Sequence, residues 1–500
     1  MRGAIMQIPK TIDDIITFSY ENFKDNTFCF EKVDGVFEGK SYAGFYADVW
    51  AFADSLIKDG YSGKNIMLYG HNSYNWMVAY LAISAYVGTI VPIDANWKEN
   101  DLQNVMASVD ISLILHSKCL TENLRDISAA QLFIEDMGRL FRNTTARPAP
   151  NPDIDRICKI AFTSGTTSNP KSVMLTERNL MANAADCLKI FEVLDETDVH
   201  FLCLPLSHIF AGVIIFLYPI YKGITIYINS SFDHLPQELR EAQPTIFVGV
   251  PKLFQKIIDG IDDSVMQKIK KGIKISNFLR KFGVDMRKTL FKEFHAFFGG
   301  RVRFMYSGAV SADYGLLRLY EDMGITIMQG YGMTEASPVV SCDNINDYRL
   351  GSVGKILSNL KYKIINQDAE GVGELCVSGD NIAMQARASD GYLHTGDLAK
   401  IDECGYLYIV GRKKRTIIAS NGKNIYPDEL EALLLENSAI ISALVFEQND
   451  KICAKIKTKL ISHEVECFVS KVNEKLPHYK QIREIIMVQN VDKTAETTDA

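Results

Sequence analysis

Apolar positions in the first third of the chain follow two spacings in turn. Residues 45–58 and 76–87 carry the three- and four-residue recurrence that places one apolar stripe along a helix. Short β-branched or apolar runs at 65–68, 89–92 and 111–115 have the length and composition of buried strands. Helix and strand in alternation predict an α/β fold, with layered, mostly parallel sheets covered by helices. Residues 146–152 hold three prolines in seven positions and predict an extended connector into a strand at 157–162. The most apolar window, 209–228, is interrupted by Gly212, Pro219, Lys222 and Gly223, and predicts a buried helix followed by a strand rather than a membrane-spanning helix. After Arg412 come three basic residues, a fresh strand pattern at 416–419, Asn421-Gly422 and a helical pattern at 427–436. That restart predicts a small α+β C-terminal domain at 413–500, following a large N-terminal domain at 1–412.

Composition narrows the function classes. Five hundred residues exceed what one core usually serves, so two domains are expected. A net charge of −7 gives no basic footprint for nucleic acid, and a small-molecule substrate is the better expectation. The ten cysteines include no Cys-x-x-Cys, which points to reduced thiols in a cytoplasmic protein rather than a disulfide framework or zinc site. One local excess stands out. Between Lys268 and Lys292 there are nine Lys/Arg and a single acid, Asp285, interleaved with Ile, Phe and Leu. Such a segment is either a peripheral surface for an anionic partner such as lipid, or simply a solvated helix face.

Where the strand at 157–162 ends, Thr163, Ser164, Thr166, Thr167 and Ser168 surround Gly165, and Lys171 follows. Backbone N–H groups, hydroxyls and one ammonium suit phosphate oxygens. Pro170 stands where a Walker loop needs its second glycine, and proline offers neither an N–H nor positive φ, so that nest is excluded. On the loop alone, a Ser/Thr-rich surface turn fits equally well.

Four more motifs follow in order: Tyr331-Gly-Met-Thr-Glu335, Gly391-Tyr-Leu-His-Thr-Gly-Asp397, Gly405-Tyr-Leu-Tyr-Ile-Val-Gly-Arg412 and Ser420-Asn-Gly-Lys-Asn-Ile-Tyr-Pro-Asp-Glu429. With the loop they resemble the adenylate-forming superfamily of acyl-CoA synthetases, luciferases and peptide-synthetase adenylation domains, over nearly the whole chain. The resemblance implies ATP-dependent conversion of a carboxylic acid to an acyl-adenylate with loss of pyrophosphate, then thioester formation on CoA. A carrier-protein phosphopantetheine is the alternative acceptor. Thr163, Ser164, Gly165, Thr166 and Thr167 with Lys171 would hold the β- and γ-phosphates. Glu335 would ligate Mg²⁺, and Thr334 would donate to the α-phosphate. Tyr331, within Gly330, Gly332 and Met333, would stack on adenine, and Ser307, Gly308 and Ala309 would line the purine and acyl pockets. Asp397 would accept the ribose hydroxyls, and Arg412 would bind ribose or phosphate oxygens. His208 would border the acyl pocket, a hydrogen-bonded core histidine being the other reading, and Lys414 falls at the hinge.

Several motifs, among them Leu204-Pro-Leu-Ser-His208 and Phe304-Met-Tyr-Ser-Gly-Ala309, look most like long-chain fatty acid–CoA ligases. Two departures matter. Thr498 stands where the superfamily carries an adenylation lysine, which leaves a degenerate nucleotide- or acyl-adenylate-binding protein as a further alternative. Ser168 and Ser172 replace glycines, narrowing access to positive φ.

Overall fold

A computed structural model describes residues 8–140, 147–163, 170–308, 312–418, 424–437, 439–448, 451–458 and 460–488. Several of its helices begin where a small polar side chain satisfies a free N–H of the first turn. Ser41 Oγ accepts from Gly44 N at 3.1 Å to open helix Tyr42–Lys58, and Ser73 Oγ accepts from Trp76 N at 3.1 Å to open Tyr74–Ala82. Both start earlier than the apolar spacing indicates, because the cap and not the first apolar residue fixes the end. The second helix runs on through a π-helical turn, Ile83–Val87.

The short apolar runs form strands Asn65–Tyr69, Thr89–Ile93 and Leu113–His116. The last lies later than 111–115 because Ile111 is buried from the preceding turn, in the core that receives Ile114. With Ala130–Phe133, Ile157–Thr163 and Lys171–Thr176 they make a six-stranded sheet, parallel except for its last pair. The run 209–228 is a buried π-helical turn Ala211–Leu217, a short helix Tyr218–Lys222 ended by Gly223 at φ 72°, and strand Thr225–Ile228.

That strand enters a nine-stranded sheet in which Thr326–Gly332, Phe304–Ser307, Ile246–Gly249, Val199–Leu202, Thr225–Ile228 and Thr27–Val33 are neighbours in this order and parallel throughout. The layered, mostly parallel α/β architecture is therefore as expected.

The chain divides into two compact units, Met1–Lys361 with Val377–Leu393, and Tyr362–Cys376 with His394–Ala500. This grouping differs from a division at 412/413. The second unit includes much of a four-stranded sheet, Lys361–Ile365, Gly373–Ser378, Leu393–Ile401 and Leu407–Arg412. Its Val372 and Leu398 share a core with Tyr426, whose hydroxyl donates to Asp368 Oδ2 at 2.7 Å. The rest of that unit is α+β: strands Ile440–Gln448, Lys451–Thr458 and Glu484–Val488 pack with helices Pro427–Leu435 and Ser462–Glu474. Among the described residues no helix is long and apolar enough to cross a membrane.

Candidate active site

In open parallel sheets, ligands bind beyond the carboxyl ends of the strands, where backbone groups and loops converge. Three candidate segments meet that condition in one sheet of the larger unit, the third separated from the other two by strand Ile246–Gly249. Ser307 and Gly308 end Phe304–Ser307, Gly330 to Glu335 end or follow Thr326–Gly332, and the turn to His208 follows Val199–Leu202. Ser307 pairs in register with Gln329 on one side and Gly249 on the other, and Gly308 N donates to Gly249 O at 3.2 Å. Ser307 Oγ is buried with no hydrogen-bond partner among the described residues.

The Tyr331 motif forms a sharp reversal. Gly330 and Gly332 pair antiparallel with Cys342 and Val339, Met333 N donates to Pro338 O at 2.9 Å, and Thr334–Ala336 is a single 3₁₀ turn. A Cβ on Gly332 would lie 2.0 Å from Pro338 O, so only glycine lets the two main chains meet. Residues outside the motifs fix the turn. Asn183 Nδ2 donates to Val339 O at 2.8 Å, Asn381 Nδ2 donates to Ala336 O at 3.2 Å, and Ala383 N donates to Glu335 O at 2.8 Å. Thr334 and Glu335 are half-buried, and the Glu335 carboxylate has no hydrogen bond or ion pair among the described residues.

Ser164, Gly165, Thr166, Thr167 and Ser168 lie outside the described residues, as do Ala309 and Thr498. The strands that bracket the hydroxyl-rich loop are described. Thr163 and Lys171 close a hairpin as an antiparallel pair, and strand Lys171–Thr176 packs beside the Thr334–Ala336 turn. A Walker loop delivers phosphate to a helix N-terminus, whereas this chain continues as a strand. Ser172 pairs with Phe162 inside that strand, where extended backbone asks for no glycine.

His208 is 61% exposed, which removes the core-histidine reading, and its Nε2 lies 3.0 Å from Asp94 Oδ2. The hydrogen bond from His208 holds the Asp94 carboxyl below its ordinary range. Asn72 clasps the approach to His208, its Nδ2 donating to Leu204 O at 2.8 Å and its Oδ1 accepting from Leu206 N at 2.9 Å. The motifs leave out Asp94, Asn72, Asn183 and Asn381. For Asp94 the one signal is a polar residue just past a buried strand, Thr89–Ile93, whereas Asn183 lies inside helix Glu177–Ile190 and carries no such signal.

In the smaller unit, Asp397 and Arg412 pair across antiparallel strands, with Arg412 Nε 2.8 Å from Asp397 Oδ1. Asp397 is buried and Arg412 exposed, so a rigid carboxylate aims a mobile guanidinium. Lys413 bonds Glu374 at 2.6 Å and Arg415 bonds Asp428 and Glu431, while Lys414 between them has no partner among the described residues.

A family model described as "AMP-binding enzyme" matches residues 19–385. The chain belongs to that family, as its motifs imply. The long-chain-fatty-acid–CoA ligase ACSBG2 of Rattus norvegicus is 28% identical over 506 aligned residues, covering 88% of this chain and 75% of the relative. ATP-bound MatB from Rhodopseudomonas palustris superposes with a TM-score of 0.78 at 19% identity, covering 96% of this chain and 95% of that one. O-succinylbenzoate coenzyme A synthetase from Bacillus subtilis, in complex with ATP and magnesium ion, gives a TM-score of 0.75 at 18% identity over 95% of each chain. These structural likenesses establish the two-domain fold.

Proposed function

We propose that this enzyme joins a carboxylic acid to AMP at the expense of ATP, releasing pyrophosphate, and then transfers the acyl group to the thiol of CoA. The observation that carries the reading is the position of Ser307-Gly308, Tyr331 to Glu335 and His208 beyond the carboxyl ends of strands in one parallel sheet, in a member of the AMP-binding family. Attack of a carboxylate on the α-phosphorus brings two anions together, so the protein's task is to neutralise charge and hold the reactants in line. Thr163 and Lys171 flank the loop that would cradle the β- and γ-phosphates, Thr334 would donate to the α-phosphate, and Asp397 with Arg412 would hold the ribose. Tyr331 would offer its ring to adenine.

No three His, Cys, Asp or Glu side chains cluster as a metal cage among the described residues. Magnesium in nucleotide sites takes one or two carboxylates plus substrate phosphates and water, and the Glu335 carboxylate, unpaired among the described residues, fits that role. The ion would draw negative charge off the phosphates.

A long-chain fatty acid is the proposed substrate, supported by the named activity of the relatives and by the apolar segment Ala211–Leu217 directly after His208. Lys414, between two anchored cations, is proposed as the hinge of a mobile domain at 413–500. The ten free thiols suit a reducing cytoplasm. Pyrophosphate release scanned from acetate to palmitate tests the reading, with CoA and a phosphopantetheine carrier protein compared as acceptors. No release with any acid would refute it. Thr498, in place of the adenylation lysine, favours a second reading as a nucleotide-binding protein with impaired adenylation. Saturable ATP binding without turnover, relieved by Thr498→Lys, would support it.

A further inference from the structure

Helix Asp263–Arg280 is the basic segment singled out in the sequence, and its two faces have different fates. Met266, Ile269 and Ile273 pack on the core of the larger unit, and Ser276 is buried on the same side. Gly272 lets the helix lie close to Phe291, whose ring edge would meet a Cβ there at 3.0 Å. The inner face is thus committed to the core.

The outer face is not. Ile275, Phe278 and Phe282 recur at spacings of three and four and are 54%, 60% and 69% exposed, with the two phenylalanine rings in edge contact at 5.2 Å. Gly283, at φ 78°, ends the helix with Val284 N donating to Leu279 O at 3.2 Å, a reversal directly after Phe282. Val284 is 46% exposed. Lysines 268, 270, 271, 274 and 281 are all exposed around this ridge. The one acid of 268–292, Asp285, is held by Arg287 at 2.6 Å. Lone exposed apolar residues need no explanation, whereas a contiguous aromatic ridge in a cationic surround does.

We propose that this face docks on an anionic lipid bilayer, with Phe278 and Phe282 entering the headgroup–acyl boundary and the lysines engaging lipid phosphates. Charge complementarity selects the occupant. A chain of net charge −7 concentrates nine cations against one acid here, while the aromatic ridge asks for an apolar medium that CoA or a purely acidic protein does not supply. A surface-lying helix presents its apolar side to the bilayer and its cations to the headgroups without spanning, in keeping with the absence of a spanning helix among the described residues.

The test is co-sedimentation of the full-length protein with vesicles, without ATP or acid, so that it stands apart from the ligase reading. Vesicles of phosphatidylcholine mixed with phosphatidylglycerol should retain the protein at least about tenfold better than phosphatidylcholine alone, with retention falling as salt rises. The double variant Phe278→Ser with Phe282→Ser should lose about tenfold or more of that retention. Phe278→Trp keeps the apolar bulk and should retain binding, with its emission shifting to the blue on the mixed vesicles. Equal retention on both vesicles, retention unchanged in the double variant, an unshifted tryptophan, or capture of an acidic carrier protein with no vesicle binding would each overturn the proposal.

Discussion

Lys159 offers the sharpest quantitative test of the core. It sits in strand Ile157–Thr163 with no solvent exposure, its Nζ 3.4 Å from Tyr80 Oη and 5.1 Å from the centre of that ring. Gly212, in the π-helical turn, leaves room for the amine: a Cβ there would stand 3.2 Å from Nζ. Among the described residues no carboxylate compensates the charge, and burial pushes the amine from 10.5 down to about 7. A folded-state value below the unfolded one means that the unfolded chain binds the extra proton between about pH 7 and 10.5, so stability rises with pH across that window. At about 1.4 kcal/mol per pH unit, a charged Lys159 costs about 5 kcal/mol below pH 7, and the cost fades as pH approaches 10.5. Lys159→Met keeps the unbranched reach and removes the proton. Urea unfolding of both proteins at pH 6.5 and 9.5, following the transition of the larger unit, should show the variant more stable at the lower pH. Its advantage should shrink by about 3 kcal/mol or more at the higher pH. Parallel pH dependences for the two proteins would refute the assignment of an uncompensated buried amine.

Gly332→Ala should place a methyl against Pro338 O, displacing Thr334 and Glu335; pyrophosphate release should fall about 100-fold or more, with a stability loss of about 1–3 kcal/mol read by thermal melting. Arg412→Lys retains the charge but loses the planar fork, so the KM for ATP should rise about tenfold while the KM for the acid stays put. Arg412 is exposed, and its melting point should hardly move. Arg156→Leu strands the buried Glu177 carboxylate, which accepts from Ile12 N at 2.6 Å and lies 2.9 Å from Arg156 Nη2; denaturant titration should show a loss of about 3–5 kcal/mol.

Much of the layered architecture was legible because buried parallel strands and their covering helices impose short apolar runs and a 3.6-residue recurrence on the chain. Element ends were less legible. Ser41 and Ser73 act through one side-chain hydrogen bond that no periodicity records, and Ile111 counts as apolar whether inside the ladder or beside it. The reach of the smaller unit was hidden for a different reason. Residues 362–376 are far in sequence from Tyr426, yet Asp368 and Val372 meet it.

The sequence alone pointed to the reaction class, because five motifs in fixed order resemble the adenylate-forming superfamily, and the family match over residues 19–385 agrees with that resemblance. It also excluded a Walker loop, since Pro170 removes an N–H whatever the fold. Tertiary structure decided which motifs share a sheet edge, why Gly332 must be glycine, and that Asp94 rather than a buried partner orients His208. It also decided the two faces of the basic helix, turning an ambiguous run of lysines into a core-bound side and an exposed aromatic ridge. For the sheet edge, the His208–Asp94 pair and the inner face of the helix, the physical reason is packing between elements distant in the chain, which no local pattern of residues encodes. Gly332 meets Pro338 within one reversal, but the hydrogen bonds that fix that reversal come from the distant Asn183 and Asn381.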